Sequence, residues 1–297
     1  MSDRFSEGFG PGAAGSAWTI GEARDIAARF VRARLAGASL SEFPGQLPTS
    51  LEAAYGCQDA AIGLWPDRVQ GWKVGRIVEP WLSRFGEDRL VGPIFAGSVQ
   101  TARKGEASQP AQAVEFPVFD GGFAAVEAEF IVRLGADAPA SKTNWTAAEA
   151  GGLVAALHVG VETAGSPLAT INALGPGVVV SDFGNNAGLI VGPAIPNWRD
   201  FGPDQLTSET SIDGKRVGTG TAASVPGGPL AGLAFALNRC ARRGLPLTAG
   251  QFVSTGATTG IHDIRIGQSS RVVFAGVAEI ECRAIRARPA APSEAPK

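Results

Sequence analysis

Glycine-rich turns break most of this chain into short apolar segments, and this pattern limits the folds that the chain can adopt. The 297 residues include 40 glycines and 20 prolines, a content that favours many turns and short strands over a helical bundle. Helical spacing of apolar residues is confined mainly to 20–35 and 51–64, near the N-terminus. We therefore predict an α+β protein in which helices come first and a mainly β region follows.

The domain organisation follows the same change in pattern. The helical spacing stops before Pro66, and short β-prone segments begin after Asp67. We predict an N-terminal helical region at 18–68, a β-rich catalytic domain at 69–286, and flexible tails at 1–17 and 287–297. Within the β-rich part, strands are predicted at 69–75, 112–119, 124–134, 178–181, 187–191, 252–254, 270–274 and 278–283. A further strand is predicted at the end of the apolar stretch 154–163. A hairpin is predicted at 210–219, and helices are predicted at 79–85, 147–153 and 229–240.

Composition excludes several classes of function. Hydrophobic residues make up 44% of the chain, which suffices for a sizeable core, and the net charge of −2 without a basic block argues against nucleic acid binding. No segment has the length of a membrane span, and 1–17 lacks the pattern of a signal peptide. The odd, scattered set Cys57, Cys240 and Cys282 does not form a disulfide framework and fits a reducing cytoplasm.

The segment Val126-Glu127-Ala128-Glu129-Phe130 holds two carboxylates at strand spacing. Side chains alternate along a strand, so Glu127 and Glu129 share one face. By strand rise they lie about 7 Å apart, where like charges repel unless a cation sits between them. Hard cations such as Mg²⁺ prefer carboxylate oxygens. The pair is therefore a candidate metal site, with a solvated strand face as the alternative.

Two further charged residues stand in apolar surroundings. Glu162 follows the run 157–161, where an unpaired carboxylate would be costly. It is a candidate third ligand, or else a strand-end residue that faces solvent. Lys73 lies in Gly71-Trp72-Lys73-Val74-Gly75, whose glycines permit close approach of a ligand. Lys73 could bind a carboxylate or move a proton, or it could be an exposed strand lysine.

Two loops of small and polar residues are candidates for ligand contact. The first is 181–188, Ser-Asp-Phe-Gly-Asn-Asn-Ala-Gly, and the second is 254–260, Ser-Thr-Gly-Ala-Thr-Thr-Gly, whose free N–H groups could receive an anion. Ordinary turn chemistry also explains both loops. Of the two histidines, His158 fits a position in the core, and His262 beside Asp263 stands closer to a candidate site.

Taken in order, these segments resemble the 2-keto-4-pentenoate hydratases of the fumarylacetoacetate hydrolase superfamily, over about residues 50–285. Residues 71–75 resemble the family's Gly-x-Lys-Ile/Val-Gly segment, and Glu127-Ala128-Glu129 resembles its Glu-x-Glu metal motif. Glu162 falls where the family supplies its third carboxylate, about 33 residues later. The family's later loop, helix and Thr-Gly turn have counterparts at 182–192, 228–238, 247–251 and 254–256.

The resemblance implies the superfamily's mixed β-roll fold, preceded by an N-terminal helical region. It also implies a Mg²⁺ (or Mn²⁺) site at Glu127, Glu129 and Glu162, with Lys73 and Asp88 as catalytic residues. A homo-oligomer is expected, because such assemblies are common in the family. The residues expected to bind the substrate are Asp182, Asn185, Asn186, Thr255, Gly256 and His262.

Three segments depart from the family pattern. Thr163-Ala164-Gly165-Ser166-Pro167 stands where the family has an Asp-Ser-Arg-like segment. Asp88 lies slightly out of register with the family's Asp-Tyr/Phe-Gly segment, and Asn185 and Asn186 replace a serine pair. These changes fit a different substrate, or a different reaction, on the same scaffold.

The activity that the resemblance implies is that of a metal-dependent lyase acting on a small 2-oxo acid. The cation would stabilise the enolate formed when a proton leaves C3. Hydration of a 2-hydroxy-dienoate in the catabolism of aromatic compounds ranks first, and decarboxylation of an oxalocrotonate-type diacid ranks second. Cleavage of an acylpyruvate C–C bond ranks third, because the His-Glu pair in the lid of such hydrolases has no clear counterpart in a chain with two histidines. A catalytically inactive binding or assembly subunit is the non-enzyme alternative.

Overall fold

Two sheets, flanked by helices, make up the part of the chain that the computed structural model describes, residues 18–102 and 113–290. The helices are α1 (Ile20–Ala36), α2 (Leu51–Leu64), α3 (Trp81–Phe85), α4 (Ala147–Gly151), α5 (Pro176–Ser181) and α6 (Gly228–Arg242). The strands are β1 (Val69–Arg76), β2 (Arg89–Phe95), β3 (Val99–Thr101), β4 (Val114–Val118), β5 (Phe123–Leu134), β6 (Val154–Ser166), β7 (Asn186–Ala194), β8 (Thr207–Ile212), β9 (Lys215–Thr221), β10 (Phe252–Ala257), β11 (His262–Asp263), β12 (Ser269–Phe274) and β13 (Ala278–Arg286).

Some of the predicted boundaries fall beyond the described residues. The tail at 1–17, the part of the second tail at 291–297, and Gln112 of the predicted strand 112–119 lie outside them. The division into a helical region and a β-rich domain stays a prediction. The fold class itself is confirmed, since a helical N-terminal part precedes a mainly β part whose sheet is curled and mixed.

The larger sheet has the strand order β2-β1-β10-β5-β6-β7-β3, with β11 paired to β5. Its centre is the long antiparallel pair of β5 and β6, whose register runs from Phe123 opposite Ser166 to Leu134 opposite Val154. Nearly every residue of β5 is buried, which explains its almost continuous apolar sequence. A carboxylate on this strand is therefore held inside the protein.

The smaller sheet has the order β4-β13-β12-β8-β9. The predicted turn Asp120-Gly121-Gly122 leads from β4 in this sheet to β5 in the larger one. Phe130 of β5 packs edge-on against Phe274 of β12, with ring centroids 5.6 Å apart, and so joins the two sheets. The predicted hairpin is confirmed: Asp213 and Gly214 both have positive φ, 48° and 76°, as a two-residue turn of the type I′ class requires.

Helices α1 and α2 pack against each other as a helical layer, and their caps explain where they begin. Thr19 and Glu22 form a reciprocal capping box at α1, and Ser50 accepts a hydrogen bond from Ala53 N at α2. The side-chain amide of Gln58 in α2 donates to Val91 O of β2 at 3.0 Å and to Val180 O of α5 at 2.8 Å. The layer is thus bound to the backbone next to the candidate site.

The predicted strand at 178–181 is wrong, because these residues form the end of α5. A short apolar run has the same pattern in a buried helix as in a buried strand. Here Gly175, with φ of 98°, and Pro176 at the first helical turn start a helix instead. No strand is predicted from the sequence at β2, where Gly92 and Pro93 lower strand propensity; β2 lies at the edge of the sheet, where proline is tolerated.

The three cysteines are free and buried. No helix in the described ranges is long and apolar enough to cross a membrane.

Candidate metal centre

Glu127, Glu129 and Glu162 meet in the middle of the larger sheet. Glu127 lies directly opposite Glu162 in the register of β5 and β6, and Glu129 is two residues further along the same face of β5. One carboxylate oxygen from each residue lies within 4.8 Å of the others. Their exposed fractions are 4%, 0% and 0%. The alternative of a solvated strand face is therefore excluded for all three.

Each of the three carboxylates keeps one oxygen without a partner. Among the described residues, nothing donates a hydrogen bond to Glu127 Oε1, Glu129 Oε1 or Glu162 Oε2. A buried polar atom without a partner is costly, and three clustered carboxylates also repel each other. A hard divalent cation removes both penalties, because it takes carboxylate oxygens as ligands. The residues present therefore fit Mg²⁺ or Mn²⁺.

The pKa values of the glutamates also show that positive charge is lacking in the cluster. Without a cation, burial and then the charge of Glu162 raise the pKa of Glu127 to about 8, although Lys73 opposes them. Burial, followed by the charges of Glu162 and Glu127, also raises the pKa of Glu129 well above its usual value. A bound cation would reverse this preference, since metal ligands must be deprotonated.

Lys73 of β1 supplies the only ammonium group that the described residues place in ion-pair contact with the cluster. Its Nζ lies 3.4 Å from Glu162 Oε1 and 3.3 Å from Asn185 Oδ1, and the residue is 4% exposed. Burial alone would lower the pKa of Lys73, but the three carboxylates outweigh this effect and raise it. The lysine is thus charged and fixed beside the candidate metal position, and the exposed-lysine alternative is excluded.

Strand β10, which pairs with β5 on the side away from β6, positions the carboxylate of Glu129. Ser254 Oγ donates to Glu129 Oε2 at 2.6 Å, and Gly256 N donates to the same oxygen at 2.8 Å. The other oxygen, Oε1, is the one left without a partner. Two donors on one oxygen fix the carboxylate plane and aim the free oxygen into the cluster.

Asn185 and Asn186, both predicted to bind substrate, lie against the charged groups. Asn185 accepts from Lys73, and Asn186 Nδ2 donates to Glu162 Oε1 at 3.1 Å. Both asparagines are buried. Asn185 ends, and Asn186 follows, a turn in which Phe183, Gly184 and Asn185 have φ of 55°, 64° and 54°. These values lie in the left-handed region, which costs an ordinary residue about 1–2 kcal/mol.

A cavity of about 530 Å³ opens beside the cluster. Glu127, Lys73, Asn185, Thr255 and Gly256 contribute to its wall, so five of the predicted site residues share one cavity. Apolar side chains line much of the remainder, and its volume suits a small molecule. The charged side chains of Arg76, Arg89 and Asp263 also line this cavity.

Three predicted site residues lie elsewhere. Asp88 pairs with Arg89 at 2.7 Å, has a side chain 54% exposed, and is not part of the cavity wall. Asp182 is buried in an ion pair with Arg34 and does not line the cavity. His262 sits beside Ile261 and Asp263, which do line it, but its own Nε2 lies 3.2 Å from Thr259 Oγ1.

Three residues around the site are absent from the predicted site residues. Ser254 begins the predicted loop 254–260, but 125 residues separate it from Glu129, to which it donates. Arg34 lies in an ordinary amphipathic helix, yet it is 8% exposed. Arg76 is one of 26 basic residues. Its place in the cavity wall depends on where β1 ends.

Comparison with known sequences gives limited overlap. No family model matches the chain. A 4-oxalocrotonate decarboxylase of Pseudomonas putida is 30% identical over 105 residues, which is 35% of this chain. The matched segment spans 40% of the length of that protein.

Comparison with solved structures extends over most of the chain. The 4-oxalocrotonate decarboxylase of Pseudomonas putida G7, complexed with magnesium and adipate, matches with a TM-score of 0.74 and 19% identity, covering 90% of this chain and 99% of the other. A fumarylpyruvate hydrolase of Pseudomonas aeruginosa, in complex with Mn²⁺ and pyruvate, matches with a TM-score of 0.52 and 16% identity, covering 75% and 91%. At these identities the likeness shows the fold alone: this chain shares the overall architecture of these two enzymes.

Proposed function

We propose that this protein is a divalent-metal-dependent lyase that acts on a small 2-oxo acid. The observation that carries the proposal is the set of three buried carboxylates, each with an oxygen free of any described partner, beside a cavity whose wall includes Glu127. Glu127, Glu129 and Glu162 would hold Mg²⁺ or Mn²⁺. The two structural relatives above were solved with magnesium or Mn²⁺ together with a small carboxylic acid, which supports the same class of ligand here.

When bound, the cation would polarise the 2-oxo group and stabilise negative charge on its oxygen. The remaining work falls to residues of this chain. Lys73 is charged and within reach of the cluster, so it would hold the 1-carboxylate of the substrate or carry a proton to and from C3. The apolar lining would exclude water from the carbon chain and strengthen these electrostatic contacts.

Between the candidate reactions, the cavity wall favours a substrate with two carboxylates. Arg76 and Arg89 face each other across β1 and β2, and both line the cavity. Arg89 is already held by Asp88 and by Pro226 O at 2.6 Å, whereas Arg76 has no ion-pair partner within 18–102 or 113–290. With Lys73, the lining carries three basic side chains against the acidic Glu127 and Asp263. An arginine without a partner suits a second carboxylate.

We therefore place decarboxylation of an unsaturated 2-oxo diacid first and hydration of a 2-hydroxy-dienoate second, which reverses the ranking from sequence. In such a diacid the C–C bond to the distal carboxylate breaks. CO₂ leaves, and the electron pair passes along the conjugated chain to the 2-oxo oxygen. The sequence relative and the structural relative with the TM-score of 0.74 are both 4-oxalocrotonate decarboxylases, which supports this order.

The test is to incubate the purified protein and Mg²⁺ with 2-oxohex-3-enedioate and, separately, with 2-hydroxypenta-2,4-dienoate. We expect CO₂ release from the diacid, and loss of that release in Glu129→Gln. The exposed strand glutamate Glu281 provides the control, since Glu281→Gln should release CO₂ at the normal rate. Hydration of the dienoate without CO₂ from the diacid would restore the hydratase ranking. Absence of both reactions, together with a melting temperature indifferent to Mg²⁺, would favour the non-catalytic binding subunit.

A further inference from the structure

The turn that carries Asn185 and Asn186 is held from one side by a single arginine. The Arg34 guanidinium, from α1, donates from Nε to Asp182 Oδ1 at 2.5 Å and from Nη2 to Asp182 Oδ2 at 2.9 Å. Its Nη2 also lies 3.2 Å from Asp182 O, and its Nη1 donates to Asn186 O at 2.9 Å. The arginine therefore binds both ends of the turn at once.

The middle of the turn is enclosed by the same arginine and by β2. The Arg34 guanidinium stacks over the Phe183 ring, with its Cζ 5.1 Å from the ring centroid. Strand β2 also approaches the turn closely, because a Cβ at Gly92 would overlap Phe183 O. The turn 183–185 is thus contacted both by Arg34 and by a strand that approaches it without a side chain. Its left-handed conformation is unfavourable for Phe183 and Asn185 by themselves, so external contacts must hold it.

We propose that Arg34 is a positioning residue for the metal centre, acting through the turn 183–185 on Asn185 and Asn186. The inference rests on the proposed function, because it assigns Arg34 a role toward Glu162 and Lys73. In this role Asp182 fixes the arginine and does not contact the substrate. Asn186 donates to Glu162, and Asn185 accepts from Lys73. Arg34 in turn binds Asn186 O and Asp182 O, and Asp182 O also accepts from Asn185 N.

The shape of the guanidinium is what the arrangement uses. Arg34 makes contacts through Nε, Nη1 and Nη2, which point in different directions from one plane. A lysine keeps the positive charge but lacks the planar fork of three nitrogens, so it cannot reproduce the bidentate contact with Asp182 together with the contact to Asn186 O. Arg34→Lys therefore separates the positioning effect from the charge.

The experiment measures Mn²⁺ affinity and backbone amide exchange on the full chain. Removal of an outer hydrogen-bonding partner at a metal site typically lowers affinity about 10–100-fold. We expect Arg34→Lys to weaken Mn²⁺ binding by about tenfold, and to speed amide exchange at Asn185, whose N–H bonds to Asp182 O at 2.9 Å. Arg32→Lys, at an exposed position two residues away on α1, should change neither quantity.

A double-mutant cycle tests the route through Asn186. Asn186→Ala should weaken Mn²⁺ binding by a similar factor, and the combination with Arg34→Lys should add little, because both changes release the same hydrogen bond to Glu162. Should Arg34→Lys fail to fold, Asp182→Asn loosens the same contacts from the acceptor side and takes its place in the cycle.

Two results would overturn the inference. The first is a lower melting temperature with unchanged Mn²⁺ affinity, which describes an arginine that only stabilises the fold. The second is a pair of effects on affinity that add in full. If the unaltered protein binds no Mn²⁺, the proposed function fails instead. The exchange rate at Asn185 then still shows whether Arg34 holds the turn, so the two failures are distinguishable.

Discussion

Two groups of buried charges lie on either side of the turn 183–185, and they differ in how completely their atoms are partnered. In the Arg34–Asp182 pair, both carboxylate oxygens of Asp182 accept from Arg34, and Oδ2 also accepts from Ser166 Oγ at 2.6 Å. In the cluster of Glu127, Glu129 and Glu162, one oxygen on each residue has no partner among the described residues. The first group is complete as it stands, and the second is not.

This difference separates a structural ion pair from a ligand site, although both are equally hidden from solvent. Burial of a charge is tolerated when hydrogen bonds and an opposite charge compensate for the loss of water. Asp182 meets that condition inside the chain. The three glutamates share one lysine, so they meet it only when protons or an additional cation neutralise part of their charge. Burial alone therefore does not identify a site; the unpartnered oxygens do.

The largest expected effect comes from breaking the complete pair. Asp182→Ala should lower the free energy of unfolding by about 3–5 kcal/mol, because Arg34 would stay buried without its counter-charge. Urea unfolding measures the loss. The double variant Arg34→Met with Asp182→Leu should recover much of it, since apolar residues of similar volume often replace a buried ion pair without cost. A double variant as unstable as Asp182→Ala would show that the pair stabilises the fold by more than its charges.

Completing the second group should have the next largest effect. At a concentration of about 100 times its Kd, Mg²⁺ should raise the free energy of unfolding by about 2.7 kcal/mol. Glu129→Gln should abolish this gain and yet stabilise the metal-free protein, because it removes a carboxyl whose pKa burial, Glu162 and Glu127 raise well above normal. Thermal melts with Mg²⁺ and with EDTA test both expectations. A metal-free variant less stable than the unaltered protein would contradict the second.

The pH dependence of the metal-free protein should distinguish the two groups further. The pKa of Glu127 is about 8 in the folded state, against 4.5 for an ordinary glutamate. Between these values the folded state holds a proton that the unfolded state has lost. Stability from this group therefore falls as the pH rises from about 5 to about 8.

Cation binding displaces that proton, so the stabilisation by Mg²⁺ should grow over the same interval. Melting temperatures at several pH values, with Mg²⁺ and with EDTA, measure the difference. A gain from Mg²⁺ that is constant from pH 5 to pH 8 would show that Glu127 is already ionised in the metal-free protein.

The smallest effect is expected in the wall of the cavity beside the three glutamates. Arg76→Gln should weaken binding of 2-oxoadipate by about tenfold, the equivalent of roughly 1.4 kcal/mol, because one charged contact to the second carboxylate is lost. Binding of 2-oxohexanoate, which lacks that carboxylate, should be unchanged. Calorimetry in the presence of Mg²⁺ compares the two ligands. Equal losses for both would place Arg76 at the common 2-oxo end and would remove the support for a diacid.

The three glutamates that the sequence singles out do come together, in part because strand periodicity is a local property. Glu127 and Glu129 share a face at any strand position, and the apolar residues before Glu162 indicate burial. The strand predicted at 178–181 fails for a related reason, since three valines in a row have no period that distinguishes a strand from a buried helix. Asp182 shows a further limit: the polar loop 181–188 predicts a ligand-contacting segment, but not which of its residues face the cavity.

By itself, the sequence determined that helices come first and a mainly β part follows, the spacing of the two glutamates on β5 and the isolation of Glu162 and Lys73 in apolar segments. The tertiary structure decided which charges meet. The register of β5 against β6 sets Glu127 opposite Glu162, and the packing of α1 brings Arg34 to a turn almost 150 residues away in sequence. Because such contacts depend on the pairing and packing of distant segments, local composition does not predict them.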